Sequence, residues 1–530
     1  MKCYLARSRW LYGFLAVFVL LAVAPVLAAL AQSVVVDGHL SLDGYRTALG
    51  QRQGLLLART VGVGAGAAGV GLLLGVPLGL LISRTNAAGR RLWWLLCFVP
   101  LILPPYVMAV TWLELLDPQG AVNRMLVEVL HLVPGPLSPK GPAVAAVSLG
   151  LSLWPVVAIV TGAAARTIAP ELEDAARLEA SPWGVIRRVT LPLIAPAVLA
   201  AALFVFLLGI TDLGTADVLY VRVYTTEVLA LYTGSLDPSA GAAAAVPLTA
   251  VALLAALATY MVARRWEVGG LWQRDVGRYD LGRWRLPAGV LCAGVLAAVL
   301  AGPLAMLLSL AGGAGSYRTA LASCPRPLAN SLLYAALATA LAAVLALPIA
   351  YMLARPGGRG RRLAALAAGL PVAVPAALLG LGFLIIWNRP WLFGGLEAAQ
   401  RWPLMPLCFA ALSAPFAIGA VAAVLAQIEV SLEEDALLAG ASLSQLGRYV
   451  VIPLARRGIL AGAAIVFILG MREWAASVII RPPGGDTLAV QLFELLHYGA
   501  EELVAALAVI LVVITLVPVG LMGLLWRRGD

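Results

Sequence analysis

The sequence predicts an all-α polytopic membrane protein with about 12 transmembrane helices in two tandem halves of six. Three observations predict it. The 530 residues are 62% hydrophobic and 12% charged, with a mean hydropathy of +0.94, which no water-soluble globule sustains. Apolar runs recur at the length of roughly 20 residues that a hydrocarbon core requires of a helix. Landmarks of the first half then return in the second at fixed spacing. Long uninterrupted apolar runs also exclude a transmembrane barrel, whose strands alternate over short segments.

In chain order the first six spans read Trp10–Ala31, Val61–Ile82, Leu92–Leu113, Ala143–Ala163, Ile194–Leu213 and Ala242–Val262. The second six read Leu286–Leu310, Leu332–Ala354, Leu363–Trp387, Pro403–Leu425, Ile459–Met471 with some continuation, and Leu503–Leu525. The first run follows Lys2, Arg7 and Arg9 as a signal peptide would, but it is too long for a cleavable apolar region and reads as a retained span.

Basic residues set the orientation. Alternate connections carry Arg84, Arg90 and Arg91; Arg166, Arg177, Arg187 and Arg188; Arg264, Arg265, Arg274, Arg278, Arg283 and Arg285; Arg355, Arg359, Arg361 and Arg362; and Arg448, Arg456 and Arg457. With the N-terminal group and Arg527 and Arg528, they place these connections and both termini in the cytoplasm. The net charge of +10 follows from this topology, and no basic soluble domain exists to hold a nucleic acid. The five cysteines have no metal-ligand or redox spacing, and the three histidines are mutually distant, so no metal site is expected.

The duplication is carried by prolines and arginines. Pro77, Arg84, Arg90-Arg91, Pro100 and Pro104 return as Pro348, Arg355, Arg361-Arg362, Pro371 and Pro375, an offset of 271. Six spans per half is an even number, so both halves lie the same way up, unlike inverted-repeat transporters. Prolines inside apolar helices predict kinks in a bundle interior, and Gly62, Gly64, Gly66 and Gly69 predict close helix approach.

A polar signature also occurs twice. It reads Glu173-Asp174-Ala175-Ala176-Arg177-Leu178-Glu179-Ala180-Ser181 with Leu191-Pro192, and Glu434-Asp435-Ala436-Leu437-Leu438-Ala439-Gly440-Ala441-Ser442 with Ile452-Pro453, an offset of 261. The segment is too short and polar to span and too apolar for a solvated loop. It suits docking in a groove on another protein, the alternative being a helix lying on the membrane surface. Asp212 and Glu473 also match at 261, near the outer end of the fifth span of each half. Such groups are costly unless they face a cavity, so with Arg472 they are candidates for the translocation path. The alternative is that Asp212 caps a helix and Glu473 pairs with Arg472. Tyr106 and Glu114 are further path candidates.

The pattern Glu-x-Ala-x-x-x-Gly followed by hydrophobic-x-Leu/Ile-Pro resembles the cytoplasmic loop motif of binding-protein-dependent ABC importer permeases. The second copy matches through Glu434, Ala436, Gly440, Ile452 and Pro453; the first departs where Glu179 stands in place of glycine. The resemblance covers nearly the whole chain and implies two type-I ABC importer transmembrane domains, at 56–263 and 327–526. A first membrane helix with its outer loop (1–55) precedes them, and a cytoplasmic linker, seventh membrane helix and outer loop (264–326) separates them. It further implies that the signatures couple the chain to ATPase subunits, through Glu173, Ala175, Ala176, Glu179, Ala180, Leu191 and Pro192 in one copy and through Glu434, Ala436, Gly440, Ala441, Ile452 and Pro453 in the other.

The stretches Arg84-Thr85-Asn86 to Val107 and Met471-Arg472-Glu473-Trp474 to Val490 resemble fused ferric-iron importer permeases. Thiamine permeases share the plan and remain an alternative, while polyamine, sulfate and molybdate importers look less similar. No Gly-x-x-x-x-Gly-Lys-Ser/Thr loop is present, so the chain is expected to be no enzyme and to bind no cofactor itself. ATP and Mg would be used by two ATPase subunits on the cytoplasmic face, with a solute-binding protein outside. A secondary transporter would instead need intramembrane ion relays, and an integral membrane enzyme a clustered acid, base or metal set.

Overall fold

The computed structural model describes residues 9–36, 39–131, 133, 137–235, 238–263, 279–355, 358–389 and 398–527. The basic residues Lys2, Arg7, Arg264, Arg265, Arg274, Arg278 and Arg528 lie outside them. Among the described residues, 10 helices are long and apolar enough to cross a membrane, and two bent pairs bring the number to 12 if each is one span. The only paired strands there are Val35–Val36 and His39–Leu40, a two-residue antiparallel ladder.

The expected third and ninth spans are the bent pairs. Arg90–Ile102 and Pro105–Leu115 meet at 96°, and Gly360–Ala373 and Ala376–Trp387 meet at 104°. These are breaks rather than the kinks read from the prolines. Proline disfavours helical geometry in the residue before it. Leu103, before Pro104, is accordingly extended (φ −68°, ψ 132°), and Pro104 and Pro375 are themselves extended at ψ 134°. Pro77 and Pro348, by contrast, sit inside continuous helices, Gln51–Arg84 and Pro325–Ala354.

The chain groups into two compact units that cut across the order of its segments. One comprises residues 49–228 and 250–309; the other comprises 1–48, 229–249 and 310–530. In the first unit Gln51–Arg84 packs along Pro142–Ala165 and Leu191–Thr211. Small residues permit the approach: a Cβ on Gly75 would lie 2.6 Å from Val157 Cβ, and one on Gly66 would lie 2.7 Å from Ala146 Cβ. Gly62 and Gly69, expected to serve the same purpose, face open space. Trp154, fully buried, packs in a cluster with Leu78, Cys97, Ala158, Cys292 and Val299, which draws the seventh span into this unit. In the other unit Pro325–Ala354, Leu404–Leu425 and Ile452–Met471 form the bundle, and the first span packs against the first two of these.

Gly75→Val inserts a branched side chain where the Trp154 carbonyl and Val157 already stand. Its thermal midpoint in detergent is expected to fall, by the equivalent of about 1–3 kcal/mol. Gly62→Val, at an open position, is expected to leave the midpoint unchanged.

Candidate functional site

Each signature begins where a long helix of its half stops. Pro142–Ala165 ends, the chain turns through Ala169 (φ −62°, ψ 129°), and Pro170 opens the helix Pro170–Arg177. Proline suits a first helical position because its missing N–H would be unsatisfied there anyway. Glu171 and Glu173 occupy the first turn, where the helix dipole favours negative charge. Glu173 points inward and is buried. One oxygen pairs with the Arg84 guanidinium, at the C-terminal end of Gln51–Arg84, and the other accepts a hydrogen bond from the Thr190 hydroxyl at 2.8 Å. Asp174, Ala175 and Glu179 are exposed, Ala176 and Ala180 partly so.

The second signature repeats the plan with other atoms. Val430–Leu438 follows Glu429 (φ −61°, ψ 135°), and the inward carboxylate is Glu433. Arg355 donates to it from Nε at 2.9 Å and Nη2 at 2.5 Å, and from Nη1 to the Ile428 carbonyl at 2.9 Å. The Tyr351 hydroxyl donates to its other oxygen at 2.5 Å. The position matching Tyr351 in the first copy is Leu80, and the position matching Thr190 in the second is Val451. Each network therefore takes its hydroxyl from a different helix.

This geometry corrects the register read from sequence. Glu173 matches Glu433, at an offset of 260, and Glu434 is exposed like Asp174. Pro155 and Pro415, within the preceding helices, keep the same 260. After the turn the offset is 261: Ser181 and Ser442 both cap the next short helix, accepting from Gly184 N and Gln445 N at 3.3 Å. The first turn is thus one residue shorter. Gly440 closes the longer turn in the left-handed region (φ 87°), with the Ala441 N–H reaching back to the Ala436 carbonyl at 3.0 Å. Glu179 does not adopt a positive φ, because the shorter turn closes through Ala180 N–H to the Ala176 carbonyl at 2.9 Å.

Both copies then pass through a π-helical turn, Ile186–Thr190 and Gly447–Val451. Leu191 N–H bonds to the Ile186 carbonyl and Ile452 N–H to that of Gly447, five residues back. Pro192 and Pro453 follow immediately. A proline lacks the N–H that would close the next helical bond and its ring crowds the preceding turn, so a wide turn there relieves the clash.

What faces outward is apolar to an unusual degree. Leu178 is 88% exposed and Trp183 68%, and in the second copy Leu438 is 74% and Tyr449 67% exposed. The buried ion pairs fix each helix from beneath while these side chains remain uncovered.

The path candidates behave differently. Asp212 accepts from the Thr215 backbone N–H at 2.9 Å, and Glu473 from that of Ala476 at 3.0 Å. Each carboxylate stands just ahead of a short helix, Gly214–Val218 or Ala475–Ile480. Both are half-buried, as are Arg472 and Glu114, while Tyr106 is buried on Pro105–Leu115, just past the break. Glu433, Tyr351 and Thr190 were not legible as partners in the sequence, and Arg84 and Arg355 entered it through topology, the duplication and, for Arg84, the permease resemblance. The signal that finds Glu433 is the 260 offset of Pro155 and Pro415.

The family described as "Binding-protein-dependent transport system inner membrane component" matches residues 71–268 and again 346–528. A putative 2-aminoethylphosphonate transport system permease protein, PhnV of Salmonella paratyphi A, is 35% identical over 148 residues, 28% of this chain and 54% of that one. A probable molybdenum ABC transporter permease protein of Haloferax volcanii is 31% identical over 166 residues, 31% of this chain and 58% of that one. The molybdenum transport system permease protein ModB of Haemophilus influenzae is 26% identical over 170 residues, covering 30% and 74%. The chain spans about half the length of the first of these relatives. Molybdenum permeases, expected from the sequence to look less similar, are thus among the relatives.

Proposed function

Because the chain belongs to the family of binding-protein-dependent transport system inner membrane components, present in two copies, we propose that it is the permease subunit of an ATP-driven importer, with both halves of the pathway in one polypeptide. The observation that carries this reading is the pair of signature helices, each pinned by a buried carboxylate, with an exposed leucine at its end and an exposed aromatic side chain just beyond it. Two ATPase subunits on the cytoplasmic face would cover those side chains and supply the ATP and Mg chemistry. A solute-binding protein would deliver cargo on the other side, and both termini would lie in the cytoplasm. Closure of the ATPases would then move the signatures, and with them the helices that begin at Leu191 and Ile452. Asp212 and Glu473 serve this reading as cap residues that shape the outer end of the fifth span in each half.

For the solute, the ferric-iron reading rests on the resemblance of the stretches from Arg84 to Val107 and from Met471 to Val490. The relatives are named for 2-aminoethylphosphonate and molybdenum. Uptake assays with ferric iron, thiamine, molybdate and 2-aminoethylphosphonate, using the cognate binding protein, separate the candidates.

Gly440→Val tests the coupling role. A β-branched residue at φ 87° is strained by about 1–2 kcal/mol per residue, while nothing within 4 Å obstructs its Cβ. Membrane insertion is expected to stay normal and uptake to fall sharply. Purified Gly440→Val complexes that import at the wild-type rate would sink the coupling role.

A further inference from the structure

Among the described residues, the first signature is held by a contact that its counterpart lacks. The chain leading into the seventh span pairs with the loop after the second: Tyr279 N–H donates to the Arg84 carbonyl at 2.8 Å, and Asn86 N–H to the Tyr279 carbonyl at 3.3 Å, as a short parallel bridge. The Asn86 side chain fastens both ends, donating to Asp280 Oδ1 at 2.6 Å and accepting from Leu281 N–H at 3.0 Å. The Gly282 N–H and the Asn86 amide together hold the Asp280 carboxyl below its usual range. The Tyr279 ring then lies under two guanidinium groups, that of Arg177 at 4.3 Å and that of Arg84 at 5.8 Å. Arg177 is on the signature helix itself, and Arg84 is the buried partner of Glu173. In the second copy the matching arginine, Arg355, instead meets a ring of its own helix, Tyr351, at 5.8 Å.

We propose that Tyr279 is a positioning residue for transport, tying the first signature helix to the start of the seventh span so that the two respond to the ATPases together. At the second signature the ring beside Arg355 is Tyr351, on the helix that Arg355 itself ends, and among the described residues no segment after the signature ties in through Arg355. The proposal rests on the importer reading above. The contact uses the ring and the backbone: the Tyr279 hydroxyl is buried with no hydrogen-bond partner among the described residues. Phenylalanine therefore preserves the tie and alanine removes it.

Amide hydrogen exchange separates the possibilities. In the purified full chain, Tyr279→Ala is expected to speed exchange across 170–177 about tenfold, the worth of two cation–π contacts, while Tyr279→Phe leaves it unchanged. An unchanged rate in Tyr279→Ala, or equal acceleration in Tyr279→Phe, overturns the proposal. In the permease–ATPase complex, MgATP with vanadate is expected to change exchange across 170–177 and 279–285 together in the wild type, and across 170–177 alone in Tyr279→Ala. Asn86→Ala, which leaves the ring in place and cuts the flanking bonds, is expected to give a weaker form of the same split. A wild-type response confined to 170–177 overturns the tie. Failure of both segments to respond in a wild-type complex overturns the importer reading instead, and the exchange difference in the free chain still decides the tie.

Discussion

Glu433→Ala is expected to destabilise its unit by about 3–5 kcal/mol, the usual cost of stranding one partner of a buried ion pair. Arg355 would keep its bond to the Ile428 carbonyl but lose both bonds to the carboxylate, and the Tyr351 hydroxyl would lose its acceptor. Both side chains are buried, so water does not replace what is lost. Glu434→Ala, one residue on and exposed, is expected to shift stability by no more than about 0.5 kcal/mol. Thermal unfolding of the two variants in detergent, followed by intrinsic fluorescence, makes the comparison. If Glu434→Ala is the more damaging, the register at 260 is wrong. The double variant Glu433→Gln/Arg355→Met should recover part of the loss, because it leaves no uncompensated buried charge and the glutamine carbonyl can still accept from Tyr351.

Leu178→Asp combined with Leu438→Asp is expected to lower the recovery of ATPase subunits with the purified permease by about 100-fold. Central interface anchors are commonly worth 2 kcal/mol or more apiece, and a charge introduced there adds a desolvation cost to the lost contact. Both leucines are highly exposed, so the melting temperature of the isolated chain should not change. Full recovery of the ATPases with the double variant would remove the docking role from these side chains.

The membrane class and the spans were legible because burial in lipid demands long apolar runs whatever the packing. Leu103-Pro104 announced a disturbance in the third span, since the local clash of proline with its predecessor is written in two residues. The 96° turn was not readable, because the direction taken after a break is set by the helices that receive it. The signatures were found by their letters, and the letters misled. Glu173-Asp174-Ala175 spells the same as Glu434-Asp435-Ala436, but the match holds at the offset of the segment after the turn, where the first copy is one residue shorter. Burial follows the preceding helix, and that helix keeps the offset of Pro155 and Pro415, so the inward carboxylate is Glu433. The partner hydroxyls were invisible for a related reason. Thr190 and Tyr351 answer the same need from different helices, and no alignment of one half on the other places them together.

The missing residue in the first turn has a geometric meaning. One residue of chain spans at most about 3.3–3.6 Å. Shortening the joint between a signature and the helix it drives therefore changes the reach over which a push is delivered. Under the importer reading, ATPase subunits docked at the two signatures would act on the chain through joints of unequal length.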